Sequence, residues 1–113
     1  MTTTTPSSAS ARITAEVTSW PGVHGQTGSR GEWSLRVGHR ELGHLHGDRV
    51  AHFSFPKAIG AQLRGEGRVV DHPVFPGVPA MAARAIQSED DERDVIALMR
   101  SNYERVRERT AQG

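Results

Sequence analysis

Apolar and polar positions alternate with a period of two through residues 32–37, 40–46 and 49–55. That alternation predicts three strands, with one side of each strand buried. Gly38-His39 and Gly47-Asp48 separate them, each a two-residue Gly-X connection suited to a tight hairpin. With those turns, Val37 pairs with Arg40, Leu35 with Leu42 and Trp33 with His44. On the second hairpin His46 pairs with Arg49, His44 with Ala51 and Leu42 with Phe53. Paired residues share a face and neighbours alternate. One face of the meander then carries Trp33, Leu35, Val37, Leu42, His44, His46, Ala51, Phe53 and Phe55. The other carries Glu32, Ser34, Arg36, Glu41, Gly43, Leu45, Val50, His52 and Ser54. The first set is the core face, and it places both histidines of His44-Leu45-His46 on the core side near its rim. A one-residue slip in either turn reverses this.

Other elements follow from the same patterning. Ile13, Val17 and Trp20 fall at helical spacing and Pro21 stops the turn, predicting a short helix over about 9–19. Residues 1–10 are polar and repetitive and are expected to form a disordered tail before a single domain over 11–110. Residues 23–30 are glycine-rich and polar, a loop or a weak edge strand. Pro56 opens a helix whose inner stripe is Ala58, Ile59, Gln62 and Leu63, ended by Gly65 and Gly67. Residues 68–75 read as a strand shortened by prolines, and 80–87 as a further strand despite its alanines. The last helix starts at the N-cap Ser88, with Glu89, Asp90 and Asp91 on the positive end of its dipole. Its buried stripe is Val95, Ile96, Met99, Tyr103 and Val106. The fold class is α+β: an antiparallel sheet, built on the central meander plus one or two strands, with helices on one face and a long C-terminal helix.

Composition removes function classes without choosing one. The chain has 113 residues, a net charge of +1 and no cysteine. Disulfides, zinc–thiolate sites, iron–sulfur clusters and cysteine nucleophiles are therefore excluded. No apolar run reaches the length of a membrane span, so the expected location is cytoplasmic, with no membrane partner. Lys57 is the sole lysine and aromatic residues are few, which disfavours nucleic acid. The glycine strings Gly28-Ser29-Arg30-Gly31 and Gly65-Glu66-Gly67 match no nucleotide-binding loop. The oligomeric state is left open.

The string Glu41-Leu42-Gly43-His44-Leu45-His46-Gly47-Asp48-Arg49 stands before Phe55-Pro56, His72-Pro73-Val74-Phe75-Pro76, and a late acidic helix holding Asn102-Tyr103-Glu104-Arg105. With these residues the chain resembles the small bacterial luciferase-domain proteins, a largely uncharacterised family named for its similarity to fungal luciferase. The likeness spans roughly residues 12–108. It departs around residues 72–80, where family members often carry a second histidine and a tryptophan. The likeness implies oxygenation of a pyrone-like substrate without flavin or metal, a histidine base generating a carbanion that meets dioxygen directly. The order of elements also resembles the MmcQ/YjbR-like domains, at the level of architecture alone.

Candidate chemistry centres on the histidines. His44 and His46, two apart on one strand, project side by side at a spacing that lets imidazoles share a divalent ion, but a third ligand is required. His72, Glu41 or Asp48 are the candidates. Glu41 falls on the opposite face, and Asp48 in its turn is better suited to capping backbone N–H groups. No tightly bound metal is therefore expected at His44 and His46, and the resemblance, with no nucleotide-binding loop in the chain, implies no cofactor. As an enzyme, the domain would use His44, His46 and His72 as catalytic polar groups. Trp33, Phe53, Phe55 and Tyr103 would line a pocket between sheet and C-terminal helix for a small aromatic or enol-like molecule. The alternative is a non-catalytic nucleic-acid or protein-binding module. A half-buried histidine hydrogen-bonded to backbone or to a neighbour would also explain either of His44 and His46, and His24, His39 and His52 read as surface residues.

Overall fold

In the computed structural model, which describes residues 8–112, the elements run α1 (Ala9–Val17), β1 (Val23–Thr27), β2 (Trp33–Val37), β3 (Arg40–His46), β4 (Val50–Ser54), α2 (Lys57–Gly65), β5 (Val70–Asp71), β6 (Met81–Ala85) and α3 (Glu89–Gln112). The strands form one six-stranded sheet in the order β1-β2-β3-β4-β6-β5, antiparallel throughout. This is the expected α+β architecture with its central meander and long C-terminal helix. The tail expected through residue 10 is shorter on its described side: Ser8 caps α1 by accepting the Ala11 N–H, and Ala9 and Ser10 are helical. Residues 1–7 lie outside the described residues. The segment 23–30 supplies the edge strand β1. Prolines cut the strand expected over 68–75 down to Val70–Asp71. Among the described residues no helix is long and apolar enough to cross a membrane.

One face of the sheet carries the core. Ile13 and Val17 of α1 meet Leu35, Leu42, Leu45, Ala51 and Phe53 of the sheet and Val95, Leu98, Met99 and Tyr103 of α3. Each of the larger aliphatic side chains contributes about 1.5–3 kcal/mol by leaving water. α3 starts as its sequence requires: Ser88 Oγ accepts the Asp91 N–H at 3.1 Å, and the Asp91 carboxylate accepts the Gln87 N–H at 2.8 Å. The helix lies close to β3 because Gly43 has no side chain there. A Cβ on Gly43 would come within 2.9 Å of the Phe53 ring and 3.1 Å of Met99 Cε.

The register corrects the expected faces at one place. Val37 pairs with Arg40, so the first turn is the two-residue Gly38-His39. Arg36 pairs with Glu41, but Leu35 pairs with Gly43, so Leu42 is the extra residue of a β-bulge. Beyond the bulge Trp33 pairs with Leu45 and Ser34 with His44, not Trp33 with His44. The second connection is also one residue longer than expected. His46 pairs with Val50, Leu45 with Ala51 and His44 with His52. The two extra residues cancel in β4, whose Ala51 and Phe53 point to the core as expected. They do not cancel in the second half of β3. Leu45 is buried in the core cluster, while His44 and His46 stand on the opposite face.

The bulge is fixed from below. Asn102 of α3, itself buried, donates from Nδ2 to the Leu42 carbonyl at 2.9 Å and to the Ser54 carbonyl at 3.2 Å. An Asn102→Leu substitution leaves the bulge carbonyl unpaired in the core and is expected to cost about 1–3 kcal/mol of stability. Urea unfolding measures this; an unchanged midpoint would show that the bulge needs no such anchor.

Candidate functional site

Cross-strand pairing lines up Ser34, His44, His52, Ala83 and Val70 in one row across β2, β3, β4, β6 and β5, on the sheet face opposite α3. His46 stands beside His44 on the same strand face. The alanine at 83, a poor choice for strand propensity, leaves room beside His52. His72, directly after β5, fills it: the His52 and His72 ring centroids are 4.2 Å apart. His44 lies 5.2 Å from His52 and 5.0 Å from His46, and His46 lies 4.5 Å from His52. Four imidazoles thus form one contiguous cluster. His52 and His72 are buried, His44 is half-buried and His46 exposed.

Hydrogen bonds set the roles of the ring nitrogens. His44 Nδ1 lies 3.2 Å from both carboxylate oxygens of Glu41, and Glu41 also accepts the Ser34 hydroxyl at 2.7 Å. Burial disfavours the Glu41 carboxylate, but the bonds to His44 and Ser34, with the charge of nearby Arg36, outweigh it and hold its pKa below the ordinary value. An ionised Glu41 accepts a hydrogen bond from His44 Nδ1–H, the tautomer that leaves the Nε2 lone pair free. His72 has the opposite arrangement: its Nδ1 accepts the Val74 N–H at 3.1 Å, so its neutral ring carries the proton on Nε2. The buried Nδ1 of His52 has no hydrogen-bond partner. Burial pushes the His52 pKa down to about 4, with the positive charge of His72, His46 and His44 acting in the same direction. Burial, followed by His44 and His46, also lowers that of His72.

The predicted site residues separate into two groups. His44, His46 and His72 are brought together, though not on the core face where they were expected. Phe53 and Tyr103 are sealed in the core on the far side of the sheet, and the Tyr103 hydroxyl donates to the Pro21 carbonyl. Trp33 is half-buried and donates its indole N–H to Thr14 Oγ1 at 3.0 Å. Phe55 borders a cavity of about 560 Å³ with Arg36, His39, Arg40, Glu41, Asn102 and Arg105, which none of the four clustered histidines lines. The expected pocket joining the aromatic residues to the histidines is therefore not formed. Phe75 supplies the aromatic neighbour instead, with its ring centroid 5.3 Å from that of His72 and nearly half its surface exposed.

Sequence reading missed two members, His52 and Glu41. His52 was placed on the correct face but read as a surface residue, and Glu41 was set apart from the histidines because the bulge was not counted. Gly43 carried the signal, since a glycine inside a strand marks a bulge or a close approach. The case against a metal ion also changes. One nitrogen from each of His44, His52 and His72 lies within 4.8 Å of the others, so a third ligand is at hand. Asp48 plays the capping role expected of it, but on α1, accepting the Ser10 N–H at 2.8 Å.

This is an open-faced, two-layer α+β domain with a histidine cluster on the sheet. The luciferase domain family model matches residues 39–102, more than half the chain and the whole span from the first turn to Asn102. The protein belongs to the luciferase-domain family. No curated protein and no solved structure matches it.

The buried imidazoles make stability depend on pH. The pKa of His52 in the folded chain lies near 4, below the 6.5 of a free imidazole. The unfolded chain therefore binds the extra proton first. The contribution is complete above about pH 6.5 and fades as pH falls toward 4. Between pH 7 and 4.5 the domain should lose about 1–3 kcal/mol through this group. A His52→Leu variant should show a flatter profile in urea unfolding across that range. An equally steep profile in the variant would assign the loss to other groups.

Proposed function

We propose that the histidine face binds a small aromatic or enol-like molecule, with His44 taking its proton. The observation that carries this reading is the Glu41–His44 pair beside two buried histidines. Glu41 accepts a hydrogen bond from His44 Nδ1–H, so Nε2 is left as the base and the carboxylate stabilises the imidazolium that forms. His72 offers an N–H at Nε2 from a ring whose lowered pKa keeps it neutral at physiological pH. A base and a neutral donor on one surface fit a molecule that loses a proton and gathers negative charge on an adjacent oxygen. Phe75 and Val74, both exposed, form an apolar edge on which a flat ring can rest.

Oxygenation, the reaction that likeness to fungal luciferase implies, builds on the same groups. His44 accepts the proton, the electron pair left on carbon forms a C–O bond to dioxygen, which is thereby reduced to the peroxide, and the peroxide takes the proton back from His44; dioxygen is the sole oxidant. The finer identity of the molecule belongs to this reading too: a hydroxypyrone or a related vinylogous acid has both the acidic hydrogen and the flat ring.

The test uses chelator-treated protein, a small hydroxypyrone and its O-methyl ether, followed by NMR of the histidine and backbone resonances. The hydroxypyrone should perturb His44, His72 and Phe75, and the ether should bind at least tenfold more weakly. His44→Gln should weaken binding by about 1.5–3 kcal/mol, the range for a hydrogen bond to a charged group. Equal binding of ether and parent, or perturbations confined to the arginine-lined cavity beside Phe55, would refute the proposal.

A further inference from the structure

We infer that His44, His52 and His72 form a binding site for one divalent first-row transition ion, of the class that prefers imidazole: zinc, iron(II), cobalt(II), nickel or copper(II). The inference goes beyond the small-molecule reading and does not need it.

The three side chains come from β3, β4 and the end of β5, separate parts of the sheet that the fold brings to one point. One nitrogen from each lies within 4.8 Å of the other two. Ligand nitrogens around a tetrahedral ion at ordinary zinc–nitrogen distances sit about 3.3 Å apart. Closing the difference takes side-chain rotation rather than movement of strands. His52 Nδ1 is buried and has no partner. Burial of an unpaired polar nitrogen is costly, and an ion brought to this ring offers compensation for it. Glu41 holds the distal nitrogen of His44, the carboxylate–imidazole arrangement that fixes the ligand ring and raises its basicity. Three imidazoles and no protein carboxylate in the inner set leave at least one position for water or for a ligand oxygen, as in catalytic rather than structural sites.

His72 must adjust. Its Nδ1 accepts the Val74 N–H, so ligation requires either that this nitrogen exchanges the N–H for the ion or that the ring turns to present Nε2 without its proton. Either way the Val74 N–H loses its partner, which marks the metallated state. His46 stands outside the inner set. Its ring centroid lies 5.0 Å from that of His44 and 4.5 Å from that of His52.

The experiment titrates the full chain, stripped with chelator and free of any organic ligand, with cobalt(II) at neutral pH. One equivalent should bind and produce the visible absorption of a four- or five-coordinate ion, and one equivalent of zinc should displace it. The Val74 amide resonance should shift in the zinc-loaded protein. His44→Ala, His52→Ala and His72→Ala should each abolish the absorption, and His46→Ala and His24→Ala should keep it. Glu41→Gln should weaken binding about 10–100-fold. Because His52→Ala removes a buried side chain, its fold is checked by circular dichroism. His72, beyond the last residue of β5, serves as the second ligand variant. An absence of stoichiometric binding overturns the inference. So does binding lost in His46→Ala but kept in His72→Ala, or binding that leaves Val74 unmoved. Failure of hydroxypyrone binding with cobalt binding intact would remove the small-molecule reading and leave this one standing.

Discussion

The site depends on a single extra residue in β3. Leu42 and Gly43 together oppose Leu35, and from that point to the end of the strand every side chain is transferred to the other face. Leu45 thereby enters the core and His44 and His46 leave it. A bulge carries an unpaired carbonyl, which would oppose its burial. Here Asn102 of α3 reaches up to accept that burden, joining the Leu42 and Ser54 carbonyls through one side-chain amide. The helix that closes the core thus also holds the geometry that assembles the histidines on the other side of the sheet. Gly43 makes this approach feasible, because any side chain there would collide with Phe53 and Met99.

Neutral imidazoles can be packed together only where protonation is costly. His52 and His72 are both buried, and each added charge in the cluster would repel the next. Their lone pairs are therefore available at physiological pH. Glu41 gives the cluster polarity by fixing the His44 tautomer, while the Val74 N–H fixes the opposite tautomer on His72. Such an arrangement costs stability that aliphatic side chains at the same positions would return. Protons and metal ions both answer a surplus of nitrogen lone pairs.

The extent to which the chain announced this differs from residue to residue. The long helix was legible from the spacing of Val95, Met99 and Tyr103 and from Ser88 with its acidic followers, because helix ends and amphipathic stripes are local features. The alternation in β2 and β4 assigned Leu35, Ala51 and Phe53 to the core correctly. The histidine string was legible as a candidate site and as the mark of the luciferase-domain family, whose model covers it. Its face was not. Leu42-Gly43 reads as ordinary alternation unless the glycine is taken as a bulge, and the third residue of the second turn has no signature stronger than that of a two-residue turn. His52 went unrecognised for the same reason, since an outward histidine in a strand is ordinary until another histidine is found opposite it.

By itself the sequence determined the local elements, the fold class and which residue types carry chemistry, since these follow from periodicity, capping and side-chain character within a few residues. Only the tertiary structure decided which of them meet. The alignment of His44 with His52 depends on a register set jointly by a bulge, a turn and an anchoring asparagine on a helix 60 residues away. The arrival of His72 depends on β6 lying between β4 and β5, with Ala83 small enough to admit it. Pairing register is a cooperative property of the packed sheet. A shift of one residue changes no local preference, yet it reverses which side of the sheet holds the site.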